Sequence, residues 1–233
     1  ITGNKGGVDG TNNMVCSAFE EGHSIWYFRA YDYAGVNKET GAAQFRNHEG
    51  KIVSSSELSD QDMTDIGSAI PRFTYGLTIN LEYKGLDFSV FGTGVGGNKI
   101  FNILYRADTP MRNSLKYYMD NAWSETNKNA SMPAVANVAQ DRYFWSSSAS
   151  MFKGDYFKIK QIQLGYTLPK TLTKKIALKE LRFFVSLDDF FTFSSYPGMD
   201  PETATTSNNG GGGYDIGTYP TMKKCTFGAS FAF

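Results

Sequence analysis

The stretch Phe73-Thr74-Tyr75-Gly76-Leu77-Thr78-Ile79-Asn80-Leu81-Glu82-Tyr83 alternates without a break: every odd position is apolar or aromatic, every even one small or polar. Successive side chains of an extended chain point to opposite faces, so this spacing gathers all the apolar groups on one side of a strand. A strand that crosses a bilayer needs about 9–11 residues, and this stretch meets that length. Its aromatics lie towards the two ends, with Leu77, Ile79 and Leu81 between them. Such an order suits an apolar band flanked by interfacial aromatic girdles.

The pattern recurs along the chain. Leu86, Phe88 and Val90 alternate with Asp87 and Ser89. Ile162, Leu164, Tyr166 and Leu168 alternate with Gln161, Gln163, Gly165 and Thr167. Leu181, Phe183, Val185 and Leu187 alternate with Arg182, Phe184, Ser186 and Asp188. Cys225, Phe227, Ala229, Phe231 and Phe233 stand against Thr226, Gly228, Ser230 and Ala232. Ile25 to Tyr33 is a further strand, less clean because its aromatics fall in both phases. The reading is all-β, with about six strands.

The connections alternate in length. Those near 34–71, 94–155 and 194–223 are long, whereas Lys84-Gly85 and 169–180 are short. Short turns at one end and long loops at the other are the habit of a transmembrane barrel, and a soluble sandwich has no reason to keep it. Within the loops, Leu115, Tyr118, Met119 and Trp123 predict a short helix over 112–127, and Asn208-Asn209 with Gly210 to Gly213 predicts a mobile stretch. Lys170, Lys174, Lys175 and Lys179 cluster in one short connection and read as a solvated turn.

Composition agrees and excludes other classes. Lys+Arg and Asp+Glu both total 23, so the net charge is near zero and gives no electrostatic case for nucleic acid. The 14 Tyr, 18 Phe and 24 Gly favour strands and turns. Cys16 and Cys225 are too far apart in sequence to read as a disulfide framework or zinc pattern, and Cys225 falls in an apolar phase where it acts as a small hydrophobe. No window is apolar for 18 residues, so no transmembrane helix is predicted, which leaves barrel strands open. The chain begins ITGNKGGVDG without Met, and an exported protein is expected to have its true N-terminus upstream.

Several runs together resemble one family. Tyr156-Phe157-Lys158-Ile159-Lys160-Gln161-Ile162-Gln163-Leu164-Gly165-Tyr166-Thr167-Leu168-Pro169 is followed by Leu181-Arg182-Phe183-Phe184-Val185-Ser186, Phe191-Thr192-Phe193 and Tyr196-Pro197-Gly198-Met199-Asp200-Pro201-Glu202. Upstream come Ile66-Gly67, Pro71-Arg72-Phe73-Thr74-Tyr75-Gly76, Leu86-Asp87-Phe88 and Gly94-Val95-Gly96-Gly97-Asn98. Trp123, Asn127 and Pro133 fit the family's loop pattern. In this order, over residues 22 to 233, they resemble the C-terminal barrel portion of the SusC/RagA-type TonB-dependent outer-membrane transporters. Two positions depart from the pattern. Asn47-His48-Glu49-Gly50-Lys51-Ile52 stands where many members carry an acidic, calcium-loop-like run, so no metal is expected there. Asp189 replaces the usual Asn.

The resemblance implies that 1–233 is the C-terminal part of a large antiparallel barrel of about 22 strands, with the plug domain and earlier strands outside these residues. It implies a Gram-negative outer-membrane location and import of oligosaccharides or oligopeptides. It also implies a SusD-like surface lipoprotein partner and energy from the TonB complex through the N-terminal region. No cofactor is implied. Phe231 and Phe233 look like the terminal-aromatic signal for barrel assembly.

Substrate contacts are expected on the inward polar phase, at Asn80, Asp87, Gln161, Gln163, Arg182 and Asp188. Loop aromatics Tyr105, Tyr143, Trp145, Tyr196 and Tyr214 are candidates to stack on sugar rings or touch the lipoprotein. Catalytic groupings do not emerge. His23 and His48 stand near no nucleophile, and Asp200 and Glu202 read as part of a turn from Pro197-Gly198. Gly92-Thr93-Gly94-Val95-Gly96-Gly97 precedes no helix, so it reads as a loop at a strand end. The rival readings are a soluble carbohydrate-binding β-sandwich, in which a second sheet covers the apolar face, and a glycoside hydrolase, which needs two suitably spaced carboxylates in a cleft.

Overall fold

The computed structural model describes residues 17–18, 21–25, 27–103, 116–138, 141–205 and 212–233. Its strands are β1 (Ser17–Ala18), β2 (Tyr27–Val36), β3 (Ala43–Arg46), β4 (Ile52–Ser54), β5 (Met63–Ser68), β6 (Phe73–Tyr83), β7 (Leu86–Gly96), β8 (Lys99–Asn102), β9 (Met151–Lys153), β10 (Tyr156–Thr167), β11 (Glu180–Ser194), β12 (Tyr214–Asp215) and β13 (Lys224–Ala232). They divide between two compact units.

One unit, residues 71–97, 155–195 and 219–233, is a five-stranded antiparallel sheet in the order β13-β11-β10-β7-β6. Its pairing register joins like with like. Leu81, Phe88, Leu164, Val185 and Phe227 form one row across all five strands, and Ile79, Val90, Ile162, Leu187 and Cys225 the next. The phase between them carries the row Asn80, Ser89, Gln163, Ser186 and Thr226. Each strand's period of two thus becomes an apolar face and a polar face of the whole sheet. Within this unit the apolar face is left uncovered. Phe73, Leu77, Ile79, Phe183 and Phe227 are 58%, 51%, 41%, 50% and 80% exposed. A sandwich would have buried them beneath a second sheet. Eleven residues of β6 at about 3.3 Å each, tilted by about 45°, span a height of roughly 25 Å, which is that of a barrel's apolar band.

Aromatics border that band. At the end from which the long connections leave, Tyr75 stacks on Phe157 with centroids 5.8 Å apart, and Phe157 on Phe193 at 6.5 Å. These rings lie over a glycine stripe. A side chain at Gly92 would meet the Phe157 ring, at Gly94 the Tyr75 ring, and at Gly96 the Phe73 ring. The glycines expected in a loop therefore belong to β7, which runs to Gly96. They lack side chains because their neighbours' rings fill the space.

A bulge reshapes the middle strands. Between Ile159 and Gln161, β10 holds one residue more than β7, namely Lys160, and β11 holds two more than β7, Asp189 and Phe190. The odd insertion shifts the phase of β10, so that Phe157 and Ile159 share a face with Ile162 and Leu164. Asp189 has φ +57°. Asn and Asp tolerate this left-handed conformation better than other side-chain-bearing residues, which accounts for the residue type at this position. The Lys160 ammonium lies 3.1 Å from the Asp189 carboxylate and ties the two bulges together.

The other unit comprises residues 1–70, 98–154 and 196–218 as far as they are described. The sixth candidate, Ile25 to Tyr33, is a strand and lies here as β2, in a different sheet from β6, β7, β10, β11 and β13. Its mixed phases have a physical cause: Phe28 and Ala30 enter a core with Ala69, Phe101, Met151 and Tyr214, while Tyr31 enters another with Phe45, Leu58, Tyr118, Met132 and Phe144. A strand buried on both faces has no polar phase to show. β2 pairs with β1, β3 and β5, and β3 with β4, while β8 joins β9 and β12 in a three-stranded sheet. The long connections thus interleave into a folded body. The loop helix forms over Lys116–Asn121. Residues 112–115, Asn208, Asn209 and Cys16 lie outside the described residues.

Local polar contacts hold this body. The Asp62 carboxylate is buried and accepts from the backbone and imidazole of His48 and from the amide and hydroxyl of Ser59, which holds its pKa well below the usual carboxylate range. Burial pushes the Tyr31 phenol up to about 12. Asn47 accepts from the amides of Glu49 and Lys51, and closes a turn with Gly50 at φ +80°. Asp200 caps the short helix Pro201–Thr205 and accepts from the Glu202 amide at 3.0 Å. That confirms a turn role for this carboxylate pair, in the form of a helix start with Pro in the first position.

Candidate functional site: the polar wall of the sheet

The polar face of β6, β7, β10, β11 and β13 carries the six inward candidates. All six fall in the phase opposite the exposed apolar rows. Asn80 and Gln163 share one row, joined through Ser89. Gln161 pairs in register with Asp188; its amide lies 3.4 Å from the Asp188 carboxylate, which also accepts from Ser186 at 2.8 Å.

Asp87 and Arg182 sit on strands separated by β10, yet they meet. Arg182 donates from Nε at 3.0 Å and from Nη2 at 2.5 Å to the two carboxylate oxygens. The strand between them contributes Gly165, and a side chain there would strike both partners. A two-strand separation is roughly 9–10 Å, which two long side chains bridge only over a gap. This bidentate clamp lies near the short-turn end of the wall, beside Glu82 and Thr167. The Arg182 guanidinium also lies 5.1 Å from the Phe184 ring.

Lys158 extends the wall and was not among the candidates. It is buried, in the polar phase of β10, and its ammonium donates to the Thr221 hydroxyl at 2.6 Å. Thr221 lies far away in sequence, so the local pattern carried no sign of this contact. Among the described residues no three His, Cys, Asp or Glu side chains gather to hold a metal ion.

The loop aromatics divide. Tyr143 and Trp145 are half-buried in the helix Arg142–Trp145, and Tyr143 packs edge-on to Tyr31. Tyr196 and Tyr214 are buried and offer no ring to a ligand, which corrects the expectation for both. The Tyr196 hydroxyl links Asn102, at 2.7 Å, to the Asp215 carboxylate, at 2.5 Å, and Tyr214 is clasped edge-on by Phe28 and Phe101. Both serve the folded body of the connections. Tyr105 lies outside the described residues. Phe231 faces outward opposite Leu181, and the exposed rings of Phe231 and Phe233 lie 5.6 Å apart.

An antiparallel sheet with a bare, aromatic-bordered apolar face and a polar reverse face is the wall of an outer-membrane β-barrel. No family model matches the chain. It is 31% identical over 234 residues to TonB-dependent receptor P3 of Formosa agariphila, covering 91% of this chain and 22% of that protein. It is 25% identical over 199 residues to TonB-dependent receptor P26 of the same organism, covering 83% and 20%. The fold is shared with the RagAB peptide transporter, at a TM-score of 0.77 and 24% identity over 96% of this chain and 24% of that one. It is shared also with the RagAB peptide importer in the 'open-open' state, at 0.75 and 21% over 100% and 24%. The chain spans about a fifth of the length of the curated relatives it matches. It belongs to the TonB-dependent receptors, and its fold is the one found in the RagAB transporter.

Proposed function

We propose that this wall lines the import passage of an outer-membrane transporter for oligosaccharides or oligopeptides, energised through TonB and working with a SusD-like surface lipoprotein. The observation that carries the reading is the register: apolar rows continue across all five strands on one face and polar rows on the other. A lipid-facing surface needs the first, and a water-filled passage the second. The relatives named as receptors, and the solved neighbour named as a peptide transporter, support the same reading. Binding and passage, with no catalysis, are the role of the wall. Asn80, Gln161, Gln163 and Asp188 offer it hydrogen bonds, Asp87 and Arg182 line its short-turn end, and Tyr143 and Trp145 are the ring candidates among the connections. Phe231 and Phe233 serve barrel assembly.

The test is uptake of fluorescent oligosaccharides and oligopeptides by cells with and without the gene, and with TonB disabled. Loss of uptake of one cargo class in both backgrounds, with heat-modifiable migration of the protein in the outer-membrane fraction, is the expected result. Unchanged uptake of both classes, or a water-soluble protein, overturns the proposal.

A further inference from the structure

The connection between β10 and β11 carries a feature that transport leaves unused. Lys170–Thr173 forms one helical turn, continued by the 3-10 turn Lys174–Ile176 and closed by Ala177 at φ +57°. The turn is built firmly: the Pro169 carbonyl accepts from the Leu172 amide at 2.9 Å, the Leu178 amide donates to the Thr173 carbonyl at 3.1 Å, and Thr173 is buried. Leu172 and Ile176, one turn apart, nevertheless stand 49% and 57% exposed. Lys170, Lys174, Lys175 and Lys179 surround them and are all exposed. The neighbouring β6–β7 hairpin adds Lys84, at the same end of the sheet and 5.1 Å from the centre of the Tyr83 ring. Of the acids at this end, Asp87 is clamped by Arg182, which leaves Glu82 and Glu180 against five lysines.

Exposed aliphatic groups ringed by lysines, next to a lipid-facing band, form an interfacial anchor. The aliphatic tips enter the boundary between headgroups and acyl chains, and the lysine stems follow them with their ammonium groups raised to the phosphates. Leu168 and Leu181, which flank the turn, belong to the apolar phase, so the patch continues the lipid-facing surface. Short turns mark the periplasmic end of a barrel. We propose that the Lys170–Lys179 turn, together with Lys84, docks onto anionic phospholipid headgroups of the periplasmic leaflet and holds this edge of the wall at a fixed depth. Each lysine at an anionic surface contributes about fivefold to the affinity.

The experiment uses the full-length receptor with Cys16→Ser and Cys225→Ser, spin-labelled at Leu172→Cys, in phosphatidylcholine vesicles with and without phosphatidylglycerol. A label at Glu49→Cys is the aqueous reference. The expected result is a label at 172 relaxed by oxygen in preference to a water-soluble nickel chelate, more so with phosphatidylglycerol present. Lys170→Gln/Lys174→Gln/Lys175→Gln/Lys179→Gln, shown to be folded by heat-modifiable migration, should weaken phosphatidylglycerol binding at least tenfold. A label as open to nickel as the one at 49 overturns the proposal, as does a label shielded from both reagents, which would mean a protein covers the turn. A phosphatidylglycerol affinity untouched by the four glutamines overturns it too.

Discussion

Replacing Ile162 by Arg, and separately its chain neighbour Gln163 by Arg, tests the two-faced wall directly. Ile162 lies in the apolar row with Val90 and Leu187, near the middle of the band; Gln163 lies in the polar row with Ser89 and Ser186. An arginine facing lipid at the bilayer midplane costs about 2–4 kcal/mol, a factor of roughly 30 to 900 in the folding equilibrium. An arginine facing the passage keeps its water, and costs a few tenths of a kcal/mol at most, as surface substitutions do. Tyr166 faces the same side as Ile162 but sits four residues nearer the short turns. Four residues at about 3.3 Å, tilted by about 45°, move it roughly 9 Å towards the interface, where Tyr166→Arg costs about 0–1 kcal/mol. Leu164→Arg should fall between. The assay is reversible unfolding of the full-length receptor from phospholipid vesicles, followed by tryptophan fluorescence across a denaturant series. Equal costs at 162 and 163, or a flat profile over 162, 164 and 166, refute the reasoning.

Asp87→Ala, Arg182→Ala and the double variant should give a coupling energy of about 1 kcal/mol in a double-mutant cycle measured by the same unfolding, because the pair is bidentate yet partly wetted. Gly165→Val should abolish that coupling by wedging the partners apart. Asp189→Ala should destabilise the barrel by about 1 kcal/mol more than Asp189→Asn does: both lose the Lys160 ion pair, but alanine also carries the strain of φ +57°. Asp62 gives a pH prediction. Its folded-state pKa is depressed, so its stabilisation is complete above the ordinary carboxylate range, about pH 4, and is lost as pH falls below it. Hydrogen-exchange protection across residues 27–70, taken relative to the intrinsic rate at each pH, should fall with acid, and Asp62→Asn should flatten that dependence.

The membrane sheet was legible because each of its strands separates two chemistries at a period of two, and a strand needs no distant partner to show that contrast. The pairing obeys the same contrast, since a slip of one residue would turn a strand's apolar groups to the polar face. Three things were not legible. Lys160 shifts the phase of β10 by one residue, and an isolated lysine between Ile159 and Gln161 carries no mark of a bulge. Gly92 to Gly96 resembled a loop because their space is filled by rings from β6 and β10, a fact of pairing and not of local sequence. Among the site residues, all six wall candidates lie on the face opposite the exposed apolar rows, as their phase in the sequence implies. The ring candidates Tyr196 and Tyr214 failed because the core that buries them is assembled from Phe28, Phe101, Phe152 and Asn102, from two other stretches of the chain.

The braiding of the three long connections limits how this protein can evolve. β12 runs parallel to β8, and Tyr214 closes a core supplied by Phe28 and Phe101, so no connection owns the residues that keep it folded. Exchanging one connection for that of a relative would strand buried aromatics in the other two. Change in these connections is therefore confined to exposed positions, or must take all three segments together.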